Sequence, residues 1–411
     1  MKLLHIAAHM GGGIGSAYVG LGTCGLDQTV LLLEKPIDLA SLEKVRTAGF
    51  RILVTPDEST LRRELLSAGI VLFNWTHHPA LTKFLCEFPE IPVRSILWCH
   101  ISGNYFPHIS AGLVQAFDHA IFAAPYSLEL PQLRALGDRC GVVYGLNDLS
   151  RFTVLKRRPH DRFTVGYVGT LGFCKLHPDF VEFCAAIPVP DVQFALVGQP
   201  STKDWILASA EKKGISERFH FYGQRKDVAP VLEEMDVFGY LLNPQHFGAT
   251  ENALLEAMAA GLPVIALDQC VERTIIRDGE TGLLVHSPEE YGNAVRYLYE
   301  HPEIAARLGA QAREDVGARF SIEKNRKRFS AACEQTMALP KREHSFTGCF
   351  SGQPADWFLS GVDADRVCFE EDRPQDAGRI FRERTKGSPM HYHSYFPEDE
   401  RLARWAEQLS K

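Results

Sequence analysis

Between Leu241 and Ala266 the chain reads LLNPQHFGATENALLEAMAAGLPVIA: an apolar run, a glycine-bearing loop, a short acidic helix, a Gly-Leu-Pro turn and a second apolar run. Its chemistry lies in Glu251 and Glu256. A carboxylate beside such a loop accepts hydrogen bonds from hydroxyls, as in ribose or a hexose, and the unpaired N–H groups at a helix start hold a phosphate. Gly248, Thr250 and Asn252 lie in the same stretch. Upstream, Val168-Gly169-Thr170 closes another apolar run, and Lys175 follows six residues after Gly169. A glycine there lets a ligand approach the backbone, and a lysine over the carboxyl end of a sheet neutralises a diphosphate. Phe221-Tyr222-Gly223 ends a third run, and its glycine leaves room for a flat ring. Hydroxyl acceptors, a cation and exposed amides together suit a sugar nucleotide. Each alone fits something plainer: a solvated acidic face, a surface lysine, a β-turn.

Positioning these residues requires strands that end at one edge. Short apolar runs at Lys2–Ala8, Gln28–Leu33, Arg51–Thr55, Ile70–Asn74, Val93–Cys99, His119–Ala123 and Gly141–Tyr144 alternate with helical segments such as Leu39–Ala48, Ser59–Ser67 and Pro79–Glu87. The alternation predicts a parallel sheet covered on both faces. A glycine loop, Gly11 to Gly15, follows the first strand, and a helix is expected from Ser16. The basic, proline-bearing stretch Ser150–Arg162 reads as a linker. Alternation restarts at Thr164–Val168 and runs through Gln193–Val197, Phe219–Tyr222, Val237–Leu242, Pro263–Leu267 and Gly282–Val285 to the helices Pro288–Glu300, Pro302–Phe320 and Ile322–Met337. The expected fold is α/β: two tandem Rossmann-like doubly wound domains, residues 1–155 and 156–337, with an extension over 338–411. In that extension Leu402, Trp405 and Leu409 lie on one side of a final amphipathic helix.

Composition excludes several classes. The 411 residues carry a net charge of -7, so no global field favours nucleic acid. No apolar stretch is long enough to span a bilayer. Ten cysteines stand at 24, 86, 99, 140, 174, 184, 270, 333, 349 and 368 without a CxxC pair, which signals neither a zinc site nor a disulfide framework and suits a reducing cytoplasm. Asp363-Ala-Asp365 and His391-Tyr-His393 resemble metal-ligand spacings, but no strand leads into the first and no third ligand accompanies the second, which is expected in extended chain. No metal is expected.

Four segments in order carry a family resemblance: Gly169-x5-Lys175; the Phe221-x-Gly223 turn with Asp227-Val228 and Asp236-Val237-Phe238; Glu256-Ala-Met-Ala-Ala-Gly-x-Pro-Val-Ile265; and Asp278-Gly-x-Thr-Gly-Leu-Leu-Val285. Over residues 160–330 they resemble the donor domain of a family 4 glycosyltransferase of the GT-B fold. The first domain resembles the family more loosely, through Gly11–Gly15, His100 and Val143-x-Gly-x-x-Asp-x-x-x-Phe152. The resemblance implies retaining transfer of a sugar from a nucleotide diphosphate to an acceptor hydroxyl in an interdomain cleft. It implies that Glu256 binds ribose hydroxyls, Lys175 holds the diphosphate, the His246–Asn252 loop cradles sugar and phosphate, and Glu251 binds the sugar. His100 would lie near the donor sugar, and Gly12 and Gly13 would turn amides to the leaving phosphate. The nucleotide sugar is then a co-substrate, the acceptor a saccharide, a lipid-linked saccharide or a small molecule, and the protein cytoplasmic or peripheral to the inner membrane face.

The chain also departs from that pattern. The family's acid eight residues before Glu256 is Gly248, and the nearest acid is Glu251; on one helix the two glutamates would stand about 500° apart, on different faces. The family's arginine after the strand glycine is Thr170. Two other readings therefore stay open: a sugar-nucleotide epimerase of similar architecture, and an inactive sugar-nucleotide-binding relative.

Overall fold

Runs of Val, Ile, Leu and Phe with no polar alternation must be buried on both faces, and here they form parallel strands. In the first sheet these are β1 (Lys2–Ala7), β2 (Asp27–Leu32), β3 (Arg51–Val54), β4 (Ile70–Trp75), β5 (Ser95–Cys99), β6 (His119–Phe122) and β7 (Cys140–Val142), ordered β3-β2-β1-β4-β5-β6-β7. Every residue of β4 and β5 is buried. In the second sheet they are β8 (Thr164–Val168), β9 (Gln193–Val197), β10 (Phe219–Gly223), β11 (Val237–Tyr240), β12 (Val264–Leu267) and β13 (Leu283–Val285), ordered β10-β9-β8-β11-β12-β13. The two doubly wound sheets expected from the sequence are both present. This computed structural model describes residues 1–22, 24–36, 38–144, 146–350 and 352–410.

Two compact units contain the sheets: Met1–Asn147 with Phe247–Thr250 and everything from Ile322, and Asp148–His246 with Glu251–Ser321. Three expectations change here. The helix Ile322–Met337 belongs to the first unit, not to the second domain. Phe329 and Cys333 on it are fully buried in a core with Leu3, Ala7 and Trp98, and its Asn325 side chain accepts from Tyr144 N at 3.2 Å. Gly248 and Thr250, expected in the donor domain, count with the first unit; the Thr250 hydroxyl donates to Ala123 O at 2.7 Å. The supposed linker is pinned within the second unit, where Arg157 pairs with Asp236 and Arg158 N donates to Glu233 O at 2.8 Å.

The segment after residue 338 is part of the first unit's core rather than an appendage. Phe346 and Phe350 are buried with Phe73, Trp75 and Phe117, each aromatic side chain contributing about 2–3 kcal/mol of burial. Four helices follow: Pro354–Leu359, Arg366–Glu370, Pro389–Tyr395 and Glu400–Ser410. The last buries Leu402, Trp405 and Leu409, as its pattern predicts. His391 and His393 stand on a helix, not in extended chain, because the Ser388 hydroxyl caps it by accepting from His391 N and Pro389 fills its first turn. His77, in left-handed backbone (φ 57°), donates Nε2–H to Phe358 O at 3.1 Å. A Cβ at Gly361 or Gly387 would sit 2.7 or 2.5 Å from His77, so only glycine lets the segment close on it.

Candidate functional site

The second sheet reverses its winding between β8 and β11, and open α/β sheets bind ligands outside the carboxyl ends of such strands. Gly169 follows β8, and Lys175 lies in the loop beyond it. The loop after β11 runs to Glu251, which sits just before the helix Asn252–Ala259 rather than on it. The helical offset between Glu251 and Glu256 therefore does not apply.

Lys175 and Glu251 meet at this edge. Lys175 Nζ donates to both Glu251 oxygens, at 2.8 and 2.7 Å, with the carboxylate almost wholly buried. Tyr240, the last residue of β11, donates its hydroxyl to Glu251 Oε2 at 2.5 Å and stacks on Tyr167 of β8 at 5.9 Å. Burial alone would raise the Glu251 carboxyl; the Lys175 and His246 charges and the hydrogen bonds from Lys175 and Tyr240 outweigh it and hold the acid below its usual value. Burial, then the Glu251 charge, pushes the Tyr240 phenol well above its ordinary value, so it stays a donor.

Behind the pair stand His246, from the expected cradle loop, and Glu272, which spacing in the sequence does not reveal. His246 Nδ1 lies 3.7 Å from Glu251, and its Nε2 lies 3.2 Å from the wholly buried Glu272, whose carboxylate accepts no hydrogen bond among the described residues. Tyr240 had a faint signal, as the last residue of a strand entering the loop. Glu272 had none, because it lies 26 residues from His246 across an intervening strand.

Glycines end the three strands on one side of the switch. Gly198, just after β9, would carry a Cβ 1.8 Å from Gly169 O, so the two loops approach only because it has none. Gly198 N donates to Gly223 O at 3.0 Å, and Gly223, at φ 67°, has open space where a Cβ would go. Arg225 lies 6.0 Å over the Tyr222 ring nearby. Glu256 is half-buried on the helix Asn252–Ala259. Asn252 Oδ1 is buried without a hydrogen-bond partner among the described residues.

The remaining predicted residues belong to the first unit. His100 follows β5, its Nε2 3.0 Å from Asn74 Oδ1. The Asn74 amide donates to Ile6 O, so its oxygen faces the imidazole and the ring proton sits on Nε2, leaving Nδ1 to accept. Burial lowers this imidazole to about 3. The glycine loop proves to be helical: the first helix runs Gly12–Leu21, so the amide of Gly13 falls in its first turn. The surroundings of Gly12 lie outside the described residues, as does Gly145 of the Val143–Phe152 pattern. Among the described residues no group of three or more His, Cys, Asp or Glu is placed to hold a metal ion, all ten cysteines are free thiols, and no helix is long and apolar enough to cross a membrane.

Residues 154–315 match the sequence profile of the family described as Glycosyl transferases group 1. The putative glycosyltransferase EpsD of Bacillus subtilis (strain 168) is 30% identical over 165 residues, 39% of this chain and 42% of that protein. The lipopolysaccharide core biosynthesis glycosyltransferase LpsE of Rhizobium meliloti (strain 1021) is 29% identical over 141 residues, 34% of this chain and 41% of that protein. The chain thus spans about two-fifths of the length of these relatives. Among solved structures, Anabaena HepE in complex with UDP and glucose superposes with a TM-score of 0.67 at 17% identity, covering 82% of this chain and 100% of that one. The lipopolysaccharide outer core galactosyltransferase WaaB gives 0.61 at 19% identity, covering 82% and 99%. At those identities the likeness is one of fold, and the fold is GT-B.

Proposed function

We propose that this chain, whose residues 154–315 belong to the glycosyl transferases group 1 family, transfers a sugar from a nucleotide diphosphate donor to an acceptor hydroxyl with retention of configuration. The observation that carries the reading is the buried Lys175–Glu251 pair at the switch point of the second sheet. A cation and an ionised acid at one edge serve the two halves of such a donor. Lys175 neutralises charge that grows on the diphosphate as the sugar bond breaks; Glu251, kept ionised by Lys175, His246 and Tyr240, accepts hydrogen bonds from sugar hydroxyls. Glu256 takes the ribose hydroxyls, and Asn252 and the backbone at Gly169 and Gly223 line the donor. No metal takes part in this scheme, and the departing phosphate itself removes the acceptor proton. The glycosyltransferase names of the relatives support transfer, and HepE, solved with UDP and glucose, makes a uridine nucleotide the first donor to test. The protein works in the cytoplasm or at the inner face of the membrane.

Thr170 and Gly248, where the family has an arginine and an acid, favour one second reading, a sugar-nucleotide binder without transfer. Thermal shift with UDP, GDP, ADP, dTDP and their sugars tests the site. A ligand at a hundredfold its Kd stabilises by about 2.7 kcal/mol, and Lys175→Ala and Glu256→Ala each reduce that shift. Unchanged shifts in both variants would remove the assignment; binding without product formation would favour the second reading.

A further inference from the structure

The first sheet also reverses its winding, between β1 and β4, so the edge beyond those strands is a ligand position by the same rule. His9 follows β1, Glu34 follows β2, and His78 follows β4. The helix Pro389–Tyr395 brings two more side chains there. The His391 ring lies 4.6 Å from that of His78, which lies 5.3 Å from His9 and 5.5 Å from Tyr395. The Tyr395 hydroxyl donates to Glu34. This helix is a fixed wall: Tyr392 Oη lies 3.0 Å from Thr82 Oγ1, and Gly361 and Gly387 close on His77.

Proton positions in the cluster follow from its hydrogen bonds. Ala80 N–H donates to His78 Nδ1 at 3.2 Å, and Gly387 N–H to His391 Nδ1 at 3.1 Å. A ring nitrogen that accepts carries no proton, so both rings hold theirs on Nε2. His78 Nε2 lies 3.8 Å from Glu34, too far for a hydrogen bond, and His391 Nε2 meets no partner among the described residues. Burial first, then neighbouring positive charge, lowers His78 to about 2 and His391 to about 4, so both are uncharged N–H donors. Neutral donors beside a carboxylate and a phenol complement hydroxyls. Glu34 opposes an anion, and Lys386, whose charge reaches His9 and His391, opposes a cation, so neither sign is favoured over a neutral ligand.

We propose that the helix Pro389–Tyr395 forms part of a ligand site in the first unit, with His391 and Tyr395 as specificity-determining residues, and that the site takes an uncharged polyhydroxylated ring. Naming that ring the acceptor rests on the transferase reading above; the site itself does not. The full chain is to be applied to an array of neutral and acidic oligosaccharides, with its thermal shift by UDP measured in parallel. The wild type retains neutral glycans. His391→Ala and Tyr395→Phe bind them at least about tenfold more weakly, and all variants keep the UDP shift. His391→Gln restores binding, because its amide nitrogen stands near Nε2, whereas His391→Asn does not. A wild-type chain that binds no neutral glycan, or an alanine variant that binds them equally, overturns the proposal. Glycan binding without a shift by any nucleotide diphosphate sinks the transferase reading alone.

Discussion

The two sheets share a winding order about their switch points and place opposite chemistry there. In the second unit the strand ends carry an ion pair, Lys175 and Glu251, braced by Tyr240 and His246. In the first they carry imidazoles that burial keeps uncharged: His77 near 4, His78 near 2 and His100 near 3. The backbone edge is the same device in both. The side chains that follow each strand decide whether it suits an anion with hydroxyls or a neutral ring. They also decide what each unit cannot tolerate, a lost counter-ion in one and acid in the other.

Removing the counter-ion has the largest expected effect. Glu251→Ala removes the buried carboxylate that pairs with Lys175, for a cost of about 3–5 kcal/mol in urea unfolding. On the transferase reading, turnover falls by about a hundredfold to a thousandfold. Acid comes next and strikes the other unit. Unfolded imidazoles titrate near 6.5, but burial holds His5 and His77 near 4 in the folded chain. The unfolded state therefore takes protons first as pH falls: the stabilisation is complete above 6.5 and lost progressively down to about 4. By linkage each group costs about 2 kcal/mol at pH 5 relative to neutral pH. Trp75, Trp98 and Trp405 are buried in the first unit, while Trp205 of the second is 38% exposed, so tryptophan fluorescence reports the acid-weakened unit. A urea midpoint by fluorescence that is the same at pH 7.5 and 5 breaks the comparison. The smallest effect tests the glycine edge of the second sheet. Gly198→Ala drives a methyl into Gly169 O and costs about 1–3 kcal/mol, read as a lower melting temperature.

Strand content was legible because parallel strands buried on both faces leave unbroken apolar runs; Thr164–Val168 and Gln193–Val197 are observed with the bounds the sequence implies. Lys175 and Glu251 were legible as chemistry, since each follows a strand in a glycine-bearing loop, but their pairing was not: they are 76 residues apart and meet through the sheet order. The support from Glu272 was hidden for the same reason. The glycine loop at residue 11 was misread because glycine disfavours a helix interior; here Gly12, Gly13 and Gly15 lie in its first turns. Helix Ile322–Met337 was assigned to the wrong unit because its periodicity shows that it buries a face, and says nothing of which core receives it.

Phe329, Phe346 and Phe350 come late in the chain yet fill cores laid down by its first strands. A ribosome working from the amino end would release nearly everything the second sheet needs before it supplies those three rings. The later unit in sequence would then mature first during synthesis, and the earlier one would wait, its strands bare of part of their cover, until those three rings emerge.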